Sequence, residues 1–202
     1  MSKIPTFTPQ EMTILSDKNF LLTKRVALEK IMTLFGELAQ HLQQLPIHQG
    51  FTFPKGTDAV LGKISKGDNY KGLPYMVLDF PKLFHKNAVF AYRSMFWWGD
   101  SFSFTLHLSG ACLLQYQDVI LNNLDKLQQE EVYFCCNDTP WEYDFGIDNY
   151  IRLSDVSKSF IAEKITQTGF IKLSRQLPLQ DWQEVIAYGS TTYTLFLQCL
   201  KT

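Results

Sequence analysis

An α+β fold, with a mainly antiparallel sheet packed against amphipathic helices, is the class this sequence predicts, on three observations. Residues 88–109 place two runs rich in aromatic and β-branched side chains on either side of Gly99-Asp100, the pattern of a β-hairpin. Apolar residues recur at helical spacing in long stretches, among them 21–45 and 182–200. Strand-like and helix-like stretches also come in runs, not in strict β-α-β alternation.

The chain opens with a Pro-containing arm and a short helix predicted over 9–15. Ser16 or Asp17 then caps a long helix that ends before Pro46. Leu21, Leu28, Ile31, Phe35, Leu38, Leu42 and Leu45 form its stripe, which is expected to lie on a sheet or another helix, with His41 at the boundary. Residues 47–57 read as a connector. Strands are expected at 59–65 and 75–80, joined by a loop over 66–74 crowded with turn formers. With the hairpin they make a meander. A helix follows from Ser109-Gly110 to Gln129, with Leu113, Tyr116, Ile120, Leu124 and Leu127 along one side. Short strands are expected at 132–136, 141–145, 149–153 and 169–174, and a helix capped by Asp155 separates the last two. The final helix starts near Asp181, with Glu184 placed as an Asp capping box requires. Its stripe is Trp182, Val185, Ile186, Gly189, Tyr193, Phe196 and Leu200.

At the hairpin, a Gly-X pair in a two-residue loop suits a type II′ turn, whose first central position needs positive φ. That turn pairs Trp98 with Ser101, Phe96 with Ser103, Ser94 with Thr105 and Tyr92 with His107. One face then mixes Tyr92, Phe96, Trp98 and His107 with hydroxyl groups, and it is the expected ligand surface or partner contact; the competing reading is a face half covered by a helix. The other face carries Val89, Ala91, Met95 and Trp97 with Phe102, Phe104, Leu106 and Leu108, and reads as core broken only by Arg93. A guanidinium keeps its proton in a protein. Arg93 is therefore expected to snorkel from a strand end, to meet a carboxylate, or to bind a ligand anion.

The 202 residues are 46% hydrophobic and 14% aromatic, enough for one sizeable core, so 1–202 is read as a single globular domain. A break near Glu130 would leave a second piece too small to be stable without disulfides or a metal. A net charge of −1 gives no global attraction to nucleic acid or anionic membrane, and neither is expected as a partner. Charge is uneven, however: 55–93 carries seven Lys/Arg against three Asp, whereas 127–151 holds six acids and no Lys or Arg. Cys112, Cys135, Cys136 and Cys199 lack C-x-x-C spacing and read as free thiols. The N-terminus lacks a signal-peptide core and no run is long enough for a membrane span, so a cytoplasmic location is expected.

No cofactor or metal is expected. Residues 66–72 hold glycines and lysines but neither a P-loop nor a dinucleotide fingerprint, and His41, His48, His85 and His107 show no zinc-like spacing. The best catalytic candidates are Glu142 and Asp144, which project from one side if 138–148 is extended. Two close carboxylates can divide acid and base roles or bind a hard cation. The simpler reading is a solvated acidic edge that keeps Trp141, Tyr143 and Phe145 from pairing with other strands. The function expected is that of a non-catalytic domain binding a small molecule or a protein partner through Tyr92, Arg93, Phe96, Trp98 and His107. The alternatives are a hydrolase-like or cation-dependent enzyme built on the acidic segment, and a structural subunit of a larger assembly, which would show a large contiguous apolar patch.

Overall fold

The helical arm forms as its caps dictate. Thr8 and Glu11 make a reciprocal capping box at the start of α1 (Pro9–Ser16), and Asp17 accepts from the Phe20 amide to start α2 (Lys18–Gln44). α2 stops at Leu45, the residue before the proline that opens the short α3 (Pro46–Gln49). In the computed structural model, which describes residues 4–201, the elements that follow are β1 (Lys63–Tyr70), β2 (Leu73–His85), β3 (Ala88–Trp97), β4 (Ser101–Gly110), α4 (Ala111–Asn122) and α5 (Leu124–Gln128), then β5 (Tyr133–Cys135), β6 (Tyr150–Arg152), α6 (Lys158–Thr168), β7 (Phe170–Pro178) and α7 (Val185–Cys199). The strands form one antiparallel sheet in the order β1-β2-β3-β4-β7-β5-β6, so the α+β class is the one observed. Strands from both sides of Glu130 share that sheet.

The meander differs from expectation in its turns. β1 and β2 run through the stretch that reads as a loop, and only Lys71-Gly72 turns, both at positive φ (50° and 83°), joining Tyr70 to Leu73. This is a two-residue turn of the primed kind. The hairpin register is slipped by one residue. Gly99, at φ 75°, is the third residue of a turn closed by the Asp100 amide donating to Trp97 O, as a type II turn requires, so Trp98, Gly99 and Asp100 all lie in the loop. Phe96 then pairs with Phe102, Ser94 with Phe104 and Tyr92 with Leu106, while Arg93 meets Thr105 and Ala91 meets His107. A one-residue slip exchanges the faces of one strand relative to its partner. The phenylalanines of both strands and Tyr92 therefore share one face, and Arg93, Trp97 and His107 share the other.

The aromatic face is the main core. Phe90, Tyr92, Phe96, Phe102, Phe104 and Leu106 pack with Phe35, Leu38, Ile120, Tyr193 and Phe196 beneath α2, α4 and α7. Gly189 allows α7 its close approach, since a Cβ there would lie 2.7 Å from Phe104, and the Tyr92 hydroxyl donates to Gly189 O at 2.6 Å. The opposite face is covered by the loop 136–149, which reads as a strand over 141–145 but forms none. Val77, Met95 and Tyr143 cluster there, as do Cys135, Tyr150 and Phe170. Ser157, not Asp155, caps α6, and a 3-10 turn (Leu179–Glu184) occupies the expected start of the last helix without an Asp181 cap. All four cysteines are free. No helix among the described residues is long and apolar enough to cross a membrane.

Candidate functional site

The slipped register assembles a polar ladder on the loop-covered face. Asp79 on β2, Arg93 on β3, Thr105 on β4 and Ser174 on β7 are successive cross-strand partners, and His107 and Lys172 pair two residues further along. Arg93 does not snorkel. Its Nε and Nη2 donate to the two Asp79 oxygens at 2.7 and 2.8 Å, and its Nη1 donates to the Tyr143 hydroxyl at 2.8 Å. Burial alone would lower the Arg93 pKa, but this forked, charge-assisted contact and Tyr143 raise it on balance. Burial pushes the Tyr143 hydroxyl up to about 12.

Lys172 is wholly buried on β7. Its Nζ donates to the Glu142 carbonyl at 2.5 Å and lies 4.0 Å from the centre of the Tyr143 ring. Burial brings its pKa down to about 8. His107 sits edge-on to Trp141 and Phe170, with ring centres 5.8 and 6.1 Å away, and its Nε2 has no partner among the described residues. Burial, reinforced by the Lys172 and Arg93 cations, lowers its pKa to about 3, so this ring is neutral near pH 7. Asp79 and Lys172 escape a reading of motifs, yet each is a single charge within an apolar strand run, the same signal that marks Arg93.

Glu142 and Asp144 do converge, but on a clasp. The Tyr70 hydroxyl accepts from the Tyr143 and Asp144 amides at 2.7 and 3.0 Å, and its proton lies between Glu142 Oε2 at 2.9 Å and Asp144 Oδ1 at 3.0 Å. Lys71 Nζ reaches the same Asp144 oxygen at 2.7 Å. Burial works to raise the Asp144 pKa, and the hydrogen bonds from Lys71 and Tyr70 bring it below its usual value. These contacts hold the loop 136–149 on the sheet. Among the described residues, no group of three or more His, Cys, Asp or Glu side chains is arranged to hold a metal ion.

The residues expected to bind a ligand, Tyr92, Phe96, Trp98 and His107 on one face and Arg93 on the other, are divided among three places. Tyr92 is sealed in the core, and Arg93 and His107 lie under the loop. Phe96 and Trp98 instead line an open groove of about 1040 Å³, together with Val26, Ile31 and Leu34 of α2 and Trp182. The turn holds three residues where two were expected, and this moves His107 to the opposite face from Tyr92 and Phe96, which stay together on the core face.

The same groove reveals an overhanging helix. Leu21 belongs to the expected core stripe of α2 but is more than half exposed, as are Leu22 and Met32. A second groove, about 580 Å³, runs along the other flank of α2 between Leu21, Leu28, Met32, Ile64 and Met76. α1 buries none of its residues and exposes Met12, Ile14 and Leu15. The sequence carries a sign of this, since Leu22, Val26 and Met32 fall outside the single stripe that a one-sided helix needs. No protein-family model, curated protein or solved structure matches this chain.

Proposed function

We propose that the chain is a non-catalytic binding domain whose partner is a protein, docked along the groove between α2 and the hairpin tip. The supporting observation is the run of exposed apolar side chains, Leu21, Leu22, Val26 and Met32, that continues from this groove around both flanks of α2. Full burial of each such side chain would contribute about 1.5–3 kcal/mol. Monomeric proteins rarely leave a contiguous apolar surface of this kind open without a use for it. The groove offers aromatic anchors in Trp98 and Trp182 over the buried Phe96, and charges at its rim in Glu29, Lys30 and Glu37, which is the anatomy of a protein interface. Lys24 adds a cation 6.0 Å from the Trp98 ring. A small molecule would fill the groove yet leave the second flank and α1 bare, so a protein segment, such as the apolar face of an amphipathic helix, accounts for more of the exposed surface.

Site-specific photo-crosslinking from position 26 in the native host tests this. The expected result is one discrete adduct, with another copy of the chain or with one other protein, that disappears when Met32→Asp is added. Diffuse labelling equal to that from a control crosslinker at position 158 on α6 would overturn the proposal.

A further inference from the structure

α1 is a formed helix with nothing to pack on. Pro9 in its first turn and the Thr8–Glu11 capping box hold it, yet it is eight residues long and none of them is buried. A helix this short is marginal in water unless a partner covers it. Met12 and Leu15, three residues apart, share one side and Ile14 lies on another, so its apolar surface runs most of the way round, as in helices that are enclosed. Ile4 and Phe7, just before it, are also exposed.

The groove between α2 and the first two strands is the complementary feature, an apolar seat with no helix in it. Leu21, Leu28 and Met32 of α2 line it together with Ile64 of β1 and Met76 of β2. Its charged rim is mainly basic, with Lys24, Arg25 and Lys66 against Glu29. Arg25 pairs with Glu29, which leaves Lys24 and Lys66 without a carboxylate partner among the described residues. Residues 4–17, by contrast, carry Glu11 and Asp17 and no Lys or Arg. Arm and groove thus match in apolar surface and in charge.

We propose that the arm of one copy seats in this groove of a second copy, and that the exchange is reciprocal. The inference rests on the docking function proposed above and names the partner as another copy of the chain. The chain's own arm cannot serve. Asp17 alone joins the two helices, closing α1 through its amide and capping α2 through its side chain. Folded back from Lys18 along α2, eight residues of helix span about 12 Å and reach no further than Val26, short of Leu28 and Met32. Between two copies, antiparallel α2 helices related by a two-fold axis place each α1 along the groove of the opposite copy and bring the exposed Leu21 and Leu22 of both together near the axis. The arm, the groove and the start of α2 are then covered by one contact, made twice.

Sedimentation equilibrium of the purified full chain tests this, and a monomer–dimer equilibrium is expected at micromolar concentrations. Leu15→Asp and Met32→Asp should each weaken association about tenfold or more, as for a charge placed in an apolar contact, and Lys66→Glu should weaken it severalfold. Leu15 buries nothing within its own chain, so its replacement should leave the urea midpoint of the dilute protein unchanged. In a Cys136→Ser background, where the remaining thiols are buried, a short bis-maleimide should join a Met12→Cys copy to an Ile64→Cys copy when the two are mixed. A chain that stays monomeric, a dimer indifferent to Leu15→Asp, or absence of the crosslink between positions 12 and 64 would each overturn the inference. A monomeric chain whose position 26 still gives a discrete adduct with another protein overturns this inference alone and leaves docking along α2 standing. A monomer with only diffuse labelling from position 26 overturns both.

Discussion

Replacing His107 with phenylalanine should remove an acid-sensitive element from the loop-covered face. The native ring has its pKa lowered to about 3 by burial and the nearby cations, against an ordinary value of 6.5. Between those values the unfolded chain binds a proton here that the native chain does not. The stability tied to this group is therefore fully present above pH 6.5 and is lost as the pH falls, by about 1.4 kcal/mol per pH unit, or about 2 kcal/mol by pH 5. Phenylalanine suits the site because His107 Nε2 has no partner to lose and the ring meets Trp141 and Phe170 edge-on. At pH 7.5 the variant should lie within about 1 kcal/mol of the unsubstituted chain, as for a volume-conserving core exchange. Urea unfolding of both proteins at pH 7.5, 6 and 5 reads the difference, in which the shared titration of carboxylates cancels. Stability curves that stay parallel from pH 7.5 to 5 would refute the reasoning, as would a loss of several kcal/mol already present at pH 7.5.

Lys172→Met probes the other depressed group. The native pKa of about 8 against 10.5 means that the unfolded chain holds the extra proton between these values, so the unsubstituted chain should gain on the variant as pH rises from 8 to 10. At pH 7 the methionine variant should equal or exceed it in unfolding free energy, by up to about 3 kcal/mol. Tyr70→Phe takes the acceptor from the Tyr143 and Asp144 amides and should cost about 2–3 kcal/mol, with hydrogen exchange at those two amides accelerated. Gly110→Ala should cost more than about 2 kcal/mol in thermal or chemical unfolding, since Gly110 lies at φ 57° and ψ −134° and a Cβ would collide with the Asn87 carbonyl. Gly169→Ala, at φ 71° but with open space around it, should cost only about 1 kcal/mol.

Local chemistry was legible and long-range closure was not. Asp17 and Pro46 bound α2 through a cap and a missing helix position, effects confined to a few residues, and both ends fall where the sequence places them. The hairpin was equally visible, but its register was not. Gly99 serves a two-residue type II′ loop or the third position of a type II turn, and local composition does not choose between them. Pairing Phe96 with Phe102 and Ser94 with Phe104 gathers the phenylalanines and Tyr92 onto the helix-covered face, and that packing is visible only in three dimensions. Arg93 was recognisable as a misfit in a core strand, while its carboxylate came from Asp79 on the neighbouring strand. Glu142 and Asp144 meet in a loop and not on the extended stretch that their spacing presupposes, and their shared partner, Tyr70, is more than seventy residues away in sequence. The sequence places Phe96 and Trp98 on one surface with Tyr92 and His107, whereas their groove neighbours come from α2 and the turn before α7.

Docking along the α2 groove is tested most directly by titrating the purified chain with the protein that crosslinks from position 26, a second copy included, and following the tryptophan emission, to which Trp98 and Trp182 of the groove contribute with Trp97 and Trp141. Saturable binding should shift that emission, and Val26→Asp should weaken it by about tenfold or more, as expected for a charge placed in the apolar centre of an interface. Equal affinity of the unsubstituted chain and the Val26→Asp variant would contradict docking at this groove.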